Sequence, residues 1–508
     1  MIVYVLIAVA TTAVTVYQYF LWQSLYWRRR NVPGPDSRLF FGNVRELSKI
    51  EKPSPFILHE WTKKYGKVYG LKEGVRNVLV ISDIEMIKEV FVKQFDNFYS
   101  RKEPPIGKDL DNDPKVHLFE ARGSRWKRLR VLSSPSFTIG SLKKMLPIVE
   151  DSAVKMVDLM AHKHGDGEPF NIHRFFSEFT LDTICRLVMG QRESTLFENP
   201  RFDICRAILM FNFDRPIFYF AAGAPKFARL LKAIAHMMNM SGPARKLFSD
   251  IETTVAKRME ERKKFGPPAA PADFIDIFLD SESDIDYKNN RKFSTFESVT
   301  KALTVDEVIS QALVFLLAGF DTTSNALAYT AWMLSRHTEV MKRCQEEIDH
   351  ICRDSSISYE DCQNLRYLDA VCRETLRFYP LAAKVVNRTC IHDTTVGGIA
   401  IEKGTAVVAD TYAVHFSTSL WGEDAHEFRP DRWLESDKRT AAIHFLAFGA
   451  GPRLCSGMRL VLAEEKIALA HVLRRFDILP DEKVSKLKLI GSTTISPETV
   501  PVKIRTRS

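Results

Sequence analysis

Phe448-Gly449-Ala450-Gly451-Pro452-Arg453-Leu454-Cys455-Ser456-Gly457 is followed at once by a run from Met458 to Phe476 that is helical in composition. Gly449, Gly451 and Pro452 make the first part a tight, non-helical loop. Cys455 therefore stands just ahead of a helix amino terminus, where free N–H groups and the helix dipole favour a thiolate. A zinc site would need a second Cys or His at ligand spacing, and the nearest are His444 and His471. On this stretch alone, a nucleophilic cysteine with a distant histidine base and an inert buried cysteine both stay open.

Upstream, Leu368, Val371, Cys372, Thr375 and Leu376 have helical spacing in a segment that ends at Tyr379-Pro380. Glu374 and Arg377, three apart, share a face of that helix. In an apolar helix such a pair tends toward burial and then needs further partners, and Arg432 in Phe428-Arg429-Pro430-Asp431-Arg432-Trp433 is placed to supply one.

A longer helix starts at Thr304, where Thr304 and Glu307 form a capping-box pattern. Val305, Val308, Ile309, Ala312, Leu313, Phe315, Leu316 and Ala318 cover most of its surface, which predicts burial on several sides. Its middle reads Ala318-Gly319-Phe320-Asp321-Thr322-Thr323-Ser324-Asn325, a row of weak helix formers. Local conflict of this kind marks functional sites. Gly319 would let a flat group approach the backbone, with Asp321 and Thr322 beside it. The competing reading is a kinked core helix whose hydroxyls bond back to carbonyls one turn earlier.

The amino terminus has no charged side chain from Met1 to Trp27, and Arg28, Arg29 and Arg30 follow directly. About 20 apolar residues cross a bilayer core, and the missing basic n-region and cleavage site argue against a removed signal peptide. The arginines place the rest of the chain in the cytosol, so the sequons at Asn239 and Asn387 are expected to stay unglycosylated. Pro33-Gly34-Pro35 stops the helix. The apolar stretch between Phe213 and Pro225 is either core or a second bilayer contact. Gly266–Pro271 and the polar segment Ser281–Ser298 read as links. Val78–Ile81 and Ala406–Val408 read as short strands.

The chain has 508 residues, 45% of them hydrophobic and 27% charged, with a net charge of +9. There is no internal repeat, and no block of like charge that would suit a nucleic-acid tail. The eight cysteines are scattered, as reduced thiols are.

Together these stretches resemble the cytochrome P450 family. The decapeptide fits Phe-x-x-Gly-x-Arg-x-Cys-x-Gly at every fixed position. Ala318–Thr323 resembles the family's oxygen-activating helix motif. Glu374-Thr375-Leu376-Arg377 fits Glu-x-x-Arg, with Arg432 as the third member of that network. Trp126-Lys127-Arg128-Leu129-Arg130 fits Trp-x-x-x-Arg. The motifs occur in family order and, with the anchor and hinge, span nearly the whole chain.

The resemblance implies a mainly α fold with small β-sheets: an anchor (1–27), a basic stop and proline hinge (28–35) and one catalytic domain (36–508). Cys455 would be the axial thiolate of haem b, pushing electron density that favours O–O cleavage. Phe448, Gly449, Gly451 and Gly457 would shape the loop and let amides approach the sulfur. Trp126, Arg130 and Arg453 would hold the propionates, with Arg388 as an addition. Gly319 would open the groove for oxygen, and Asp321 and Thr322 would deliver protons. Glu374, Arg377 and Arg432 would lock the core behind the haem. Phe315, Ala318, Phe320, Ala382, Ala383, Val385 and Ile495 are the pocket candidates, suited to a lipophilic substrate.

No flavin or nicotinamide fingerprint is present. Electrons would come from NADPH-cytochrome P450 reductase, with cytochrome b5 as a second candidate donor. Arg125, Lys127, Arg128 and Arg130 would form part of the docking face. Trp126 to Thr138 looks most like the microsomal drug-metabolising branch, which implies the endoplasmic reticulum and xenobiotics, steroids or fatty acids as substrates. The alternatives are a haem-thiolate gas sensor without turnover and a membrane-anchored scaffold with no cofactor. The intact Asp321-Thr322 pair argues against the sensor and against the family's peroxide-rearranging members.

Overall fold

The structure, a computed structural model, describes residues 1–507 apart from 166, 270, 284–298 and 436–442. The polar link expected between Ser281 and Ser298 lies outside the described residues from 284 onward, as does residue 270 of the shorter link. The chain is mainly helical with small sheets. In chain order the helices of interest are α1 (Ile2–Ser24), α2 (Gly123–Ser133), α3 (Ile172–Met189), α4 (Arg201–Leu209), α5 (Pro216–Gly223), α6 (Ala228–Met237), α7 (Val305–Arg336), α8 (Arg366–Phe378) and α9 (Met458–Arg475). The strands are β1 (Val68–Glu73), β2 (Arg76–Ile81), β3 (Phe170–Asn171), β4 (Asn387–Thr389), β5 (Ala406–Ala409), β6 (Phe476–Pro480) and β7 (Pro501–Thr506).

The chain divides into two compact units. One comprises Met1–Lys108, Asn212–Ser241 and Ala383–Val414. Its sheet has the order β1-β2-β5-β4. Both expected strands are there, and β2 runs parallel to β5 from Val78 opposite Ala406 to Ile81 opposite Ala409. Val78, Leu79, Val80 and Ile81 are all buried, the continuous apolar pattern of a strand covered on both faces. Each such side chain contributes about 1.5–3 kcal/mol on burial.

The amino-terminal helix is shorter than the uncharged run. Helix α1 ends at Ser24, whereas Tyr26 and Trp27 are buried. The Trp27 indole N–H donates to the Leu71 carbonyl at 2.9 Å, and a side chain on Gly70 would strike the Trp27 ring. The hinge docks on the same strand, because the Gly70 N–H donates to the Pro33 carbonyl at 2.8 Å. The helix thus stops three residues short of Trp27, because aromatic residues that suit a membrane interface also suit a protein core.

The other unit comprises Asp109–Phe211, Gly242–Ala382 and His415–Ser508. Its centre is α7, which packs against α3, α4, α8 and α9. The expected capping box is formed: the Glu307 N–H donates to Thr304 Oγ1 and the Thr304 N–H to Glu307 Oε2, both at 3.2 Å. Burial begins within that first turn and covers most of the helix. A three-stranded antiparallel sheet, β3-β7-β6, belongs to this unit.

Candidate active site

The loop before α9 is closed on itself. The Cys455 N–H donates to the Phe448 carbonyl at 3.0 Å, and the Leu454 N–H to the Gly451 carbonyl at 2.9 Å. Gly449 and Gly451 have φ of +78° and +69°, a region where other residues are strained. Gly457 needs no such freedom. It is the N-cap of α9 at φ −85°, and a side chain there would find ordinary contact. Cys455 is exposed, while the other seven cysteines are buried. Burial pushes those thiols up, Cys185 and Cys390 to about 11 and Cys362 to about 12.

Helix α2 brings cations to this loop. Arg130 hydrogen-bonds Ser456 Oγ and feels the charge of Cys455, which opposes the lowering effect of burial on the guanidinium. Arg453 is buried. It stands 4.7 Å over the Trp126 ring and donates to the Ala121 carbonyl. Trp126, Arg130 and Arg453 thus gather around the cysteine loop. Arg388 is described with the other unit, buried and 4.5 Å over the Phe91 ring.

Arg125 and Arg128 do not form a docking face. Both are buried and grip Glu307: Arg125 Nε donates to Oε1 at 2.9 Å, and Arg128 Nη1 and Nη2 donate to Oε2 and Oε1 at 2.8 and 2.7 Å. The same carboxylate caps α7, so α2 and α7 are clamped together by two charges. Of the expected basic face, only Lys127 and Arg130 are partly open to solvent.

The middle of α7 is helical throughout. Thr322 Oγ1 donates to the Ala318 carbonyl at 2.7 Å, the back-bonding expected of a hydroxyl in a helix. Gly319 lies against α3. A side chain there would come within 2.6 Å of Ile184 Cδ1, so the glycine admits α3 to close packing. The exposed position is its neighbour Ala318. Phe320 is buried edge-to-face on Phe202, at 5.7 Å between ring centroids. Phe315 is half-buried among Phe137, Phe274 and Phe278. Ile495 is buried, its N–H donating to the Leu381 carbonyl at 2.8 Å. Ala382 is half-buried beside the core of its unit. In the other unit Ala383 is buried, and the Val385 carbonyl accepts from Arg101 at 2.7 Å.

Glu374, Arg377 and Arg432 meet, all fully buried. Arg377 donates twice to Glu374, at 2.8 and 2.9 Å, and Arg432 Nε adds a third bond at 2.9 Å. The Trp433 indole N–H and the Arg429 backbone N–H complete the carboxylate's shell. Sequence reasoning missed His415. Its Nδ1 meets the Arg377 carbonyl at 3.0 Å, and its Nε2 accepts the Leu446 N–H at 2.9 Å. These partners require a proton on Nδ1 and a neutral ring, and burial pushes His415 down to about 3. The imidazole so ties the Glu374 network to the turn that opens the cysteine loop. No local pattern marks a histidine whose partners lie far off in sequence.

Cys455 offers one thiolate, and no cluster of three or more His, Cys, Asp or Glu exists among the described residues. Such a donor set suits a metal that brings its own equatorial ligands, as a porphyrin iron does. The open space beside Gly449, the exposed Ala318 and the gathered Trp126, Arg130 and Arg453 fit a flat, anionic group of that kind.

These features suit a haem-thiolate class of protein, and comparison with known sequences gives the family. The cytochrome P450 family profile matches residues 32–504. The chain is 45% identical over 503 residues to a Caenorhabditis elegans protein carrying the cytochrome P450 name cyp-13B1, covering 97% of this chain and 98% of that one. It is 41% identical over 516 residues to a second, carrying the name CYP13A3, covering 99% of each. The chain belongs to the cytochrome P450 family.

Proposed function

We propose that this chain is a haem b monooxygenase of the endoplasmic reticulum, inserting one atom of O2 into a lipophilic xenobiotic, steroid or fatty acid. NADPH-cytochrome P450 reductase would supply the electrons, with cytochrome b5 as a further donor. The observation that carries this reading is Cys455, presented at the amino terminus of α9 beside Arg130. When bound, haem supplies the oxygen-activating iron. Arg130 supports negative charge on the sulfur, and Trp126 and Arg453 are the remaining candidates to hold the propionates.

Asp321 and Thr322 form the proton-handling pair. Burial raises the Asp321 carboxyl above the usual aspartate range, so it holds a proton more readily than an exposed aspartate. Thr322 rests its own proton on the Ala318 carbonyl, which leaves the hydroxyl oxygen able to accept another. Glu374, Arg377, Arg432 and His415 hold the loop rather than react.

Helix α1 is the membrane anchor in this reading. At 1.5 Å per residue it is about 35 Å long, enough to cross the hydrocarbon core, and none of its residues is buried. Arg28, Arg29 and Arg30 keep the body cytoplasmic. Phe220, Phe227, Leu230, Ile234, Met237 and Met238 are all exposed on and around α5 and α6. With Lys226, Arg229 and Lys232 among them, that surface suits a second contact with an acidic bilayer face. Asn239 is exposed, whereas Asn387 is buried in β4; a glycan on Asn239 in cells would overturn the topology.

The test is reconstitution with the reductase and a panel of lipophilic compounds. Oxygenated product is expected, together with a haem-thiolate carbon-monoxide band that Cys455→Ser abolishes. Thr322→Ala should keep the band and lower product per NADPH by about tenfold or more. A thiolate band with no product under any reductase would favour a gas-binding protein, and no band in folded protein would favour a scaffold.

A further inference from the structure

Asp321, Asn325 and Tyr329 recur every fourth residue along α7 and so share one face. All three reach a single short segment. Thr494 Oγ1 donates to Asp321 Oδ2. Asn325 Nδ2 donates to Ser496 Oγ at 2.9 Å, and the Tyr329 hydroxyl donates to the Ile495 carbonyl at 2.9 Å. Asn325 and Tyr329 are fully buried, and Thr494, Ile495 and Ser496 are buried as well. The segment is held from behind by the Ile495 N–H on the Leu381 carbonyl and by a tight turn at Gly491, where a side chain would overlap the Thr494 carbonyl. Thr494 therefore has little freedom to leave its acid.

We infer that Thr494 is a positioning residue for Asp321, its hydroxyl fixing the orientation and proton affinity of the carboxyl that serves oxygen activation. The inference rests on the proposed role of Asp321 and adds the residue that tunes it. Around that carboxyl, burial raises proton affinity, while Thr494, then Asn325, then the Arg206 cation of α4 lower it. Arg206 is exposed, so solvent weakens its share. His173 of α3 lies behind Asn325, beside the Pro497 carbonyl, and burial pushes it down to about 4; it is neutral near pH 7 and adds no charge. Thr494 is thus the nearest group whose removal changes the acid without changing any charge.

Thr494→Val removes the donor and keeps the shape, and Thr494→Ser keeps the donor. Infrared titration of the holoprotein follows the protonated carboxyl band, assigned by its loss in Asp321→Asn. In Thr494→Val the protonation equilibrium is expected to shift about tenfold toward the protonated acid, the size of one hydrogen bond to a charged acceptor. Thr494→Ser should titrate as the parent does. Product per NADPH should fall in Thr494→Val, with its pH profile moved in the alkaline direction and the carbon-monoxide band retained. The inference is overturned if Thr494→Val titrates like the parent, or if Thr494→Ser shifts as far as Thr494→Val. A shifted band in a protein that forms no product supports the Thr494 contact and removes only the monooxygenase reading, so the two failures are told apart.

Discussion

Glu374 and Glu465 are both fully buried carboxylates, on helices α8 and α9 that pack together, yet their surroundings differ completely. Glu374 accepts from two guanidinium groups, an indole N–H and a backbone N–H. Among the described residues, neither oxygen of Glu465 meets an N–H or O–H donor. It faces the Cys372 thiol, a weak donor, with Lys466 at longer range, and the Lys466 ammonium is engaged by the Cys362 carbonyl. Burial pushes Glu465 up to about 8, and its neighbour Glu464 to about 8 as well. Burial alone does not say what a carboxylate is for. Its donors decide whether it is a fixed charge that organises a loop or a neutral acid that costs stability.

The largest effect should come from breaking the partnered side. Arg432→Ala leaves the Glu374 charge short of a donor and should cost about 3–5 kcal/mol. Thermal unfolding should show that loss, together with weaker haem retention, because His415 relays the network to the cysteine loop. Arg432→Lys, which restores the charge but not the fork, should recover only part of it.

The unpartnered side should respond in the opposite direction. An acid whose folded pKa is raised contributes full stability below its unfolded value, near 4.5, and loses it as pH rises through the folded value, about 8. Glu465→Met should therefore stabilise the protein by about 4 kcal/mol at pH 8 and by only about 1 kcal/mol at pH 5. A gain that does not change with pH would show that Glu465 is charged and partnered in solution.

The smallest effect concerns acid. His415 is depressed to about 3, so its contribution is whole above the unfolded histidine value near 6.5 and falls away as pH drops toward 3. Between pH 6.5 and 5.5 the protein should lose about 1 kcal/mol through this ring. His415→Asn should flatten that slope, as seen in unfolding midpoints measured across the interval.

What could be read in advance was local. The tight loop ahead of α9, the Thr304–Glu307 cap and the Glu374–Arg377 spacing depend on residues a few positions apart, and the structure forms each of them. What could not be read depends on contacts between distant segments. The basic run around Trp126 looked like surface until Glu307, on another helix, drew Arg125 and Arg128 inward. Gly319 looked like space for a flat group, and the side chain it lacks would also strike Ile184 on α3. Nothing singles out Glu464 and Glu465 in the sequence, because the composition of α9 says nothing about which of its faces are covered. Thr494 lies in a stretch with no motif, and only the fold sets it against Asp321.

The seating of Trp27 on Gly70 has a mechanical consequence. With α1 as the proposed anchor, a flexible tether would let thermal tumbling of the protein blur its attitude on the membrane. A tryptophan wedged against a strand glycine, with its indole N–H latched to Leu71, would instead make a stiff joint, passing twist or tilt of a membrane-embedded α1 to β1 as torque. A single methyl group added at Gly70 would loosen that joint without touching any reacting atom.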